Sequence, residues 1–118
     1  MRVSLSLTDQ YIPEWRGNRD LPDDEQIKVT YRLMTAEQEE KYSTLYMRRG
    51  TGDDYSMDVK THAVEIWDEC VTTVTGLVGD SGPITDPKQV RAIPGIYGLV
   101  TEVVAVIKRG ISEDELKN

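Results

Sequence analysis

Residues 93–110, IPGIYGLVTEVVAVIKRG, constrain the fold more than any other stretch of the chain. Pro94 and Gly95 interrupt the backbone near its start, and Gly110 closes it. Apolar side chains recur at helical spacing at Ile96, Leu99, Val100, Val103, Val104 and Ile107, and Tyr97, Ala105 and Val106 widen the stripe. A buried strand is the alternative, because many of these residues are β-branched. The length favours a helix that lies across a sheet or between other helices.

The size and charge of the chain set limits on its class. Its 118 residues predict a single domain, 1–118, and its formal net charge of −7 disfavours binding to nucleic acid or to anionic membranes. An acidic surface instead suits solubility and a basic protein partner. Cys70 is the only cysteine, so no intrachain disulfide can form and a reducing cytosol is the expected compartment. The start, MRVSLSLTDQ, has no long apolar run, so we do not expect it to be a signal peptide, and we expect no membrane span because no apolar run is long enough.

Two segments alternate with period two and predict β-strands. In the first, Val3, Leu5 and Leu7 alternate with polar residues. In the second, residues 26–33, one face carries the apolar side chains of Ile27, Val29, Tyr31 and Leu33. We expect these two strands to pair, because sequential strands are usually neighbours. Between them, residues 14–25 are rich in turn formers and predict a loop anchored by Trp15.

Helices and turns are predicted for the rest. Thr35 and Gln38 form a capping-box pattern before a helix over residues 36–48, which would carry Tyr42, Leu45 and Tyr46 inward and end at Arg48-Arg49. A second helix is expected from Ser56 or Asp58 to Val74, with strand as the alternative for its last turn. Residues 76–85 predict a short hairpin or a tight loop, and Asp86 with Pro87 predicts a short helix. The charged residues 111–118 are expected to fray.

Candidate catalytic groups are few. The sequence Gly79-Asp80-Ser81-Gly82 resembles the nucleophile loop of chymotrypsin-like proteases, but the only histidine, His62, precedes Ser81 by only 19 positions (81 − 62) on a predicted helix. We therefore interpret the motif as a hairpin turn. Cys70 and Trp67 lie on the apolar face of the second predicted helix. We therefore predict that Cys70 is a buried thiol and not a nucleophile, and that the Trp67 indole belongs to the core.

Metal sites are also disfavoured. One histidine and one cysteine cannot build a zinc site. Oxygen ligands for calcium occur at Asp20, Asp23, Asp24 and Glu25, but their spacing departs from the EF-hand loop and Pro22 interrupts it. We interpret this segment, and Asp53-Asp54, as solvated acidic loops. The residues predict no catalytic site, no metal and no cofactor.

Two blocks of sequence carry a resemblance to a known family. The first is IPEWRGNRDLPDDEQIKVTYRLMTAEQEEKYS at residues 12–43, and the second is IPGIYGLVTEVVAVI at residues 93–107. An early strand, the loop IPEW-GNR-LP-DEQI, a charged helix and a late PG-YGLV-EV helix together resemble the small tail assembly chaperones of long-tailed bacteriophages. About 45 residues resemble the family closely, and the rest does so only in the order of elements.

The resemblance implies a non-enzymatic role in the cytoplasm of a host bacterium. Such chaperones bind the tape measure protein, keep its long apolar helices soluble, help recruit tail tube subunits and are absent from the finished virion. Some are also made in a longer, frameshifted form. No residue role carries over, but the blocks supply candidates for a partner-binding surface: Tyr11, Trp15, Arg16 and Tyr97.

The expected fold class is α+β, with a small antiparallel sheet packed against two or three helices. The sheet would contain the N-terminal strands and could include the 76–85 hairpin. We expect a protein-binding factor that could form a homo-oligomer. Two alternatives stay open: a structural virion component, such as a head–tail connector or tail completion protein, and a small enzyme that holds a metal in the acidic loops.

Overall fold

The computed structural model describes residues 1, 7–42, 45–49, 55–59 and 62–109, with the two short ranges 45–49 and 55–59 described by their backbone alone. The predicted strand around Val3 and Leu5, the acidic pair Asp53-Asp54 and the charged residues 111–118 lie outside this part of the chain. Within it, Leu7 is exposed and precedes the first strand.

Eleven strands and α-helices follow one another along the described chain. They are β1 (Thr8–Tyr11), β2 (Lys28–Arg32), α1 (Ala36–Lys41), β3 (Leu45–Arg49), β4 (Tyr55–Val59), α2 (Ala63–Cys70), β5 (Val71–Thr75), β6 (Val78–Gly79), β7 (Gly82–Pro83), α3 (Pro87–Arg91) and α4 (Tyr97–Arg109). Two short 3-10 helices, Trp15–Asp20 and Asp23–Glu25, lie in the segment that was predicted to be a loop.

The main sheet is antiparallel and has the strand order β1-β2-β5. Its register aligns Tyr11 with Val29 and Val29 with Val74, and all three side chains are buried. Because side chains alternate across a strand, these residues form one apolar row on the inner face. The predicted strand over residues 26–33 is confirmed, and it pairs with β1. The strand predicted around Val3 and Leu5, which we expected to be its partner, lies outside the described residues.

The core lies between this inner face and the helices, which gives the expected α+β fold. Helix α4 packs against α2 and β2, and its stripe from Ile96 to Ile107 is buried, so the predicted helix is confirmed. Two of the residues predicted to widen the stripe, Tyr97 and Ala105, are instead exposed. Trp67 is fully buried and its indole N–H donates to the Pro87 carbonyl at 2.8 Å, which ties α2 to α3.

The predicted helix over residues 36–48 is wrong in its second half. Its start is confirmed, because Thr35 and Gln38 form a reciprocal capping box and Tyr42 is buried. The helix ends at Lys41, and residues 45–49 instead form β3, which pairs antiparallel with β4. The hydrogen bonds between β3 and β4 give the backbone N–H and C=O groups of residues 45–49 the partners that a longer helix would have provided within itself. The pair Arg48-Arg49 therefore lies in a strand and not at a helix C-terminus.

The second predicted helix begins too early. Residues 55–59 form β4, and α2 starts at Ala63, directly after His62, whose backbone has a left-handed conformation with φ of 49°. The alternative of a strand after the helix is confirmed, because α2 passes into β5 at Val71. The β-branched run Val71–Thr75 suits a pleated strand better than a helix end.

The hairpin and the short helix that follow it are both confirmed. Strands β6 and β7 pair with each other and form a separate two-stranded sheet, so the hairpin does not extend the main sheet. Asp86 caps α3, because its carboxylate accepts the backbone N–H of Lys88 at 3.1 Å, and Pro87 occupies the first helical position.

Candidate functional site

The two sequence blocks that carry the family resemblance meet at the side chain of Glu102 on α4. Its Oε2 atom accepts the hydroxyl of Tyr11 at 2.7 Å and the backbone N–H of Glu14 at 2.7 Å. Its Oε1 atom accepts the backbone N–H of Trp15 at 3.1 Å. The first N–H groups of a helical turn have no partner within the turn, and a carboxylate is a favourable acceptor for them. Glu102 thus fixes the start of the first 3-10 helix against α4.

Arg16 and Gly17 turn the chain sharply just after this contact. Both have left-handed backbone angles, with φ of 51° for Arg16 and 73° for Gly17, and the Gly17 N–H donates to the Glu14 carbonyl at 3.0 Å. The turn places the Arg16 guanidinium over the Trp15 ring, 4.4 Å from the ring centroid, at the distance of a cation–π contact. Arg16 is exposed and Trp15 is half-buried.

Two glycines, one in α4 and one in the turn before it, lie beside these side chains. A Cβ atom added at Gly98 would lie 3.1 Å from the Trp15 Nε1 atom, so the indole rests directly on the helix backbone. A Cβ at Gly95 would lie 3.5 Å from an Arg16 guanidinium nitrogen. Tyr97 lies between these glycines, and its side chain is 58% exposed. We call Trp15, Arg16 and Tyr97 the aromatic patch.

Three polar side chains brace the loop that presents the patch. Asn18 is buried; its amide donates to the carbonyls of Pro13 and Ile27 and its oxygen accepts the Ile27 N–H at 2.6 Å. Arg19 donates to the Ile12 carbonyl and to the Glu14 carboxylate, and Gln26 donates to two further loop carbonyls. Buried backbone groups need such partners, so these bonds hold the loop in one conformation.

Of the four residues predicted to bind a partner, the structure places three at the surface and one in the core. Tyr11 is only 8% exposed and contributes through its hydrogen bond to Glu102. Burial, together with the adjacent Glu102 carboxylate, raises the pKa of the Tyr11 hydroxyl above its usual range. Tyr11 therefore stays a neutral hydrogen-bond donor at physiological pH.

Reasoning from the sequence missed Glu102. It is the only charged residue in α4 before Lys108, so its place on an otherwise apolar helix was the available signal. Its partners precede it by as many as 91 positions, so no local pattern could have named them.

The remaining sequence candidates lie away from this region or have structural partners. Ser81 lies in the exposed turn between β6 and β7. The His62 Nδ1 atom lies 3.2 Å from the Glu65 carboxylate, and its ring packs 5.3 Å from that of Tyr42. Asp23 pairs with Lys28 at 3.0 Å. Across residues 7–42 and 62–109, no group of three His, Cys, Asp or Glu side chains is close enough to hold a metal ion.

A small pocket opens beside Cys70. Its volume is about 130 Å³, and it is lined by Leu7, Arg32, Leu33, Thr35, Gln38, Glu69 and Cys70. Burial, reinforced by Glu69, raises the pKa of the Cys70 thiol to about 11. The thiol is therefore protonated and a poor nucleophile at neutral pH, in agreement with the predicted buried cysteine.

No protein family, no curated protein and no solved structure matches this chain. None of the described helices is both long enough and apolar enough to cross a membrane.

Proposed function

We propose that this protein is a non-enzymatic tail assembly chaperone of a long-tailed bacteriophage. In this role it works in the cytoplasm of the host bacterium, where it binds the tape measure protein and keeps it soluble. It also helps recruit tail tube subunits. The proposal starts from the resemblance of residues 12–43 and 93–107 to that family.

The observation that carries the proposal is the convergence of the two resembling blocks on Glu102. Trp15 and Arg16 come from the first block, and Glu102 holds the start of their loop against α4. Their side chains lie beside Gly98 and Gly95, which flank the exposed Tyr97 of the second block. Trp, Tyr and Arg are the residue types that dominate binding energy in protein interfaces. A surface of this kind suits the capture of an apolar helix.

The patch is also held in place before any partner binds. The indole of Trp15 rests on Gly98, and the loop that carries it is braced by Asn18, Arg19 and Gln26. A partner that binds an ordered surface loses less side-chain entropy than one that must order it, so more of the contact energy appears as affinity.

Co-expression tests the proposal. The tape measure protein of the same phage, or an apolar helical fragment of it, is produced with and without this chain, and its soluble fraction is measured. We expect the chain to keep the fragment soluble and to co-purify with it. A fragment that precipitates equally in both cases would contradict the proposal, and recovery of this chain from purified virions would favour a structural component instead.

Substitution of one exposed residue locates the surface. We expect Tyr97→Ala to weaken fragment binding by about 2 kcal/mol, or roughly 30-fold, as at an interface hot spot. The matched control is Val78→Ala, because Val78 is 75% exposed on the separate β6–β7 hairpin. Calorimetric titration of both variants, with a thermal melt to check folding, distinguishes loss of contact from loss of structure. Equal affinities for the two variants would place the binding surface elsewhere.

A further inference from the structure

The outward face of the main sheet differs in character from the rest of the protein. Residues that alternate with the buried row occupy it, together with Thr72 at the register shift between β2 and β5, and most of them are exposed: Thr8, Gln10, Lys28, Thr30, Arg32, Thr72, Thr73 and Thr75. None of these outward positions is acidic, although the chain has a formal net charge of −7. The face is therefore rich in threonine and locally basic, and the register of β2 against β5 shifts near its centre, between Thr30 and Tyr31.

The two ends of this face carry opposite charges. At one end, the 3-10 helix Asp23–Glu25 precedes β2, and its acidic side chains are exposed. Asp23 pairs with Lys28 at that end, which neutralises the lysine. At the other end of β2 lies Arg32, at the edge of the sheet, where it is exposed and also borders the pocket beside Cys70. It pairs with no carboxylate of the described residues. Strand β2 thus runs from an acidic end to a basic end.

We propose that a second copy of this chain docks on this face, with the two β2 strands antiparallel about a two-fold axis near Thr30. In that arrangement the Arg32 end of each copy lies over the Asp23–Glu25 end of the other. The contact is self-complementary, as an isologous interface requires. A parallel arrangement would instead stack Arg32 on Arg32 and the acidic ends on each other.

The residues between the two ends suit close packing of two sheets. Threonine side chains are short and β-branched, so the faces can approach to about 10 Å, the usual distance between packed sheets. Their methyl groups pack and their hydroxyls can bond across the interface. The face spans three strands at about 4.8 Å and five residues at about 3.3 Å. Since this area is small for a stable interface, we expect a weak, salt-sensitive dimer.

Charge reversal at the two ends tests the arrangement by sedimentation velocity over a concentration series. In about 20 mM salt we expect the unaltered chain to dimerise at high concentration, and in about 0.5 M salt to dissociate. Arg32→Glu and Asp24→Arg each place like charges together at both contacts. Each variant is expected to weaken the dimer at least about tenfold.

Mixing the two variants is the decisive measurement. An Arg32→Glu copy and an Asp24→Arg copy restore opposite charges at both contacts. An equimolar mixture is therefore expected to form a heterodimer at concentrations where each variant alone, with its weakened contact, is largely monomeric. Thr73→Arg inserts a charged side chain beside the axis and is expected to abolish association in any mixture. Thermal melts of each variant report whether it is folded.

Several outcomes would overturn the proposal. One is an unaltered chain that stays monomeric at low salt throughout the concentration series. Another is a dimer that survives Arg32→Glu or Thr73→Arg unchanged, which would place self-association on another surface. A third is a mixture of folded single variants that does not associate. The proposal does not depend on the chaperone function, because its test needs no partner other than this chain.

Discussion

The hydroxyl of Tyr11 at the end of β1 donates a 2.7 Å hydrogen bond to the carboxylate of Glu102 in the middle of α4. Two backbone N–H groups of the intervening loop share the same carboxylate. One side chain therefore joins the sheet, the loop and the helix. Loss of this carboxylate should loosen the aromatic patch as well as lower stability.

We expect Glu102→Ala to lower the free energy of unfolding by about 2–3 kcal/mol, because a partly buried hydroxyl and two N–H groups lose a charged acceptor. Tyr11→Phe removes only one of the bonds and should cost about 1 kcal/mol. In the double variant the two losses should couple by about 0.5–1.5 kcal/mol, because they share one bond. Urea denaturation at neutral pH measures all three values.

The control for this cycle is Glu40→Ala, which removes an exposed glutamate from α1. A surface substitution of this kind should change stability by no more than about 0.5 kcal/mol. If Glu102→Ala cost no more than this control, the carboxylate would not be the junction that its hydrogen bonds indicate.

The stability of the protein should fall at alkaline pH, in part through Cys70. Burial raises the pKa of its thiol from 9.0 to about 11, so the folded state keeps a proton that the unfolded state releases. The stabilisation is therefore complete below pH 9 and is lost as the pH rises to about 11, at up to about 1.4 kcal/mol per pH unit. Unfolding free energies measured between pH 8 and 11 should show this decline.

Cys70→Ala provides the control for that decline. The alanine variant is less stable at every pH because it leaves a cavity, but its loss between pH 9 and 11 should be smaller. Tyr11, whose pKa is also raised, adds a decline above pH 10 that Tyr11→Phe should remove. Parallel curves for the unaltered chain and Cys70→Ala would show that the thiol does not contribute.

Asn18 should be among the most sensitive polar positions of the described chain. Its side chain is buried, donates to the carbonyls of Pro13 and Ile27, and accepts the backbone N–H of Ile27. Asn18→Ala leaves these backbone groups without a partner and should cost about 2–4 kcal/mol. Asn18→Asp restores an acceptor for the Ile27 N–H but turns a carboxylate oxygen toward two carbonyls, so it should not rescue stability.

Urea denaturation and amide exchange at Ile27 test these variants together. Exchange of the Ile27 N–H should accelerate in Asn18→Ala more than the global loss of stability explains, because its acceptor has gone. Gln89→Ala, an exposed amide residue on α3, is the matched control and should change neither measurement. Unchanged exchange at Ile27 would contradict the bracing role.

The elements that could be predicted from the sequence are those with local signals. The stripe of α4, the alternation of β2, the capping box at Thr35 and the cap at Asp86 each depend on residues a few positions apart. Such signals report local backbone preference, and here packing agrees with them. The inner row of the sheet followed from the same alternation.

Strand β3 could not be predicted in this way. No glycine or proline separates α1 from residues 45–49, so the helical pattern extends past Lys41 without a break. Pairing with β4 decides the conformation, and pairing depends on a second segment. The position of Glu102 under Trp15 likewise depends on how α4 packs against a distant loop. Sequence reasoning therefore named the patch residues without finding the residue that holds them.

Gly98 should matter because the Trp15 indole rests on its backbone. Alanine in a helix is favoured over glycine by about 1 kcal/mol, but a Cβ here would lie 3.1 Å from the indole nitrogen. We expect Gly98→Ala to stabilise the protein by less than this amount, and we expect Gly98→Leu to displace the Trp15 indole into solvent. The displaced indole should emit fluorescence at longer wavelength, while the fully buried Trp67 keeps its emission. The difference between spectra of each variant with and without Trp15→Phe isolates the Trp15 signal.

Ala105→Leu is the matched control, because it adds the same side chain at another exposed position of α4. It should leave the Trp15 emission unchanged and alter stability by less than about 0.5 kcal/mol. If the patch binds a partner as proposed, Gly98→Leu should also weaken that binding while the protein stays folded. A Gly98→Leu variant with unshifted emission would show that the indole does not depend on the bare helix backbone for its position.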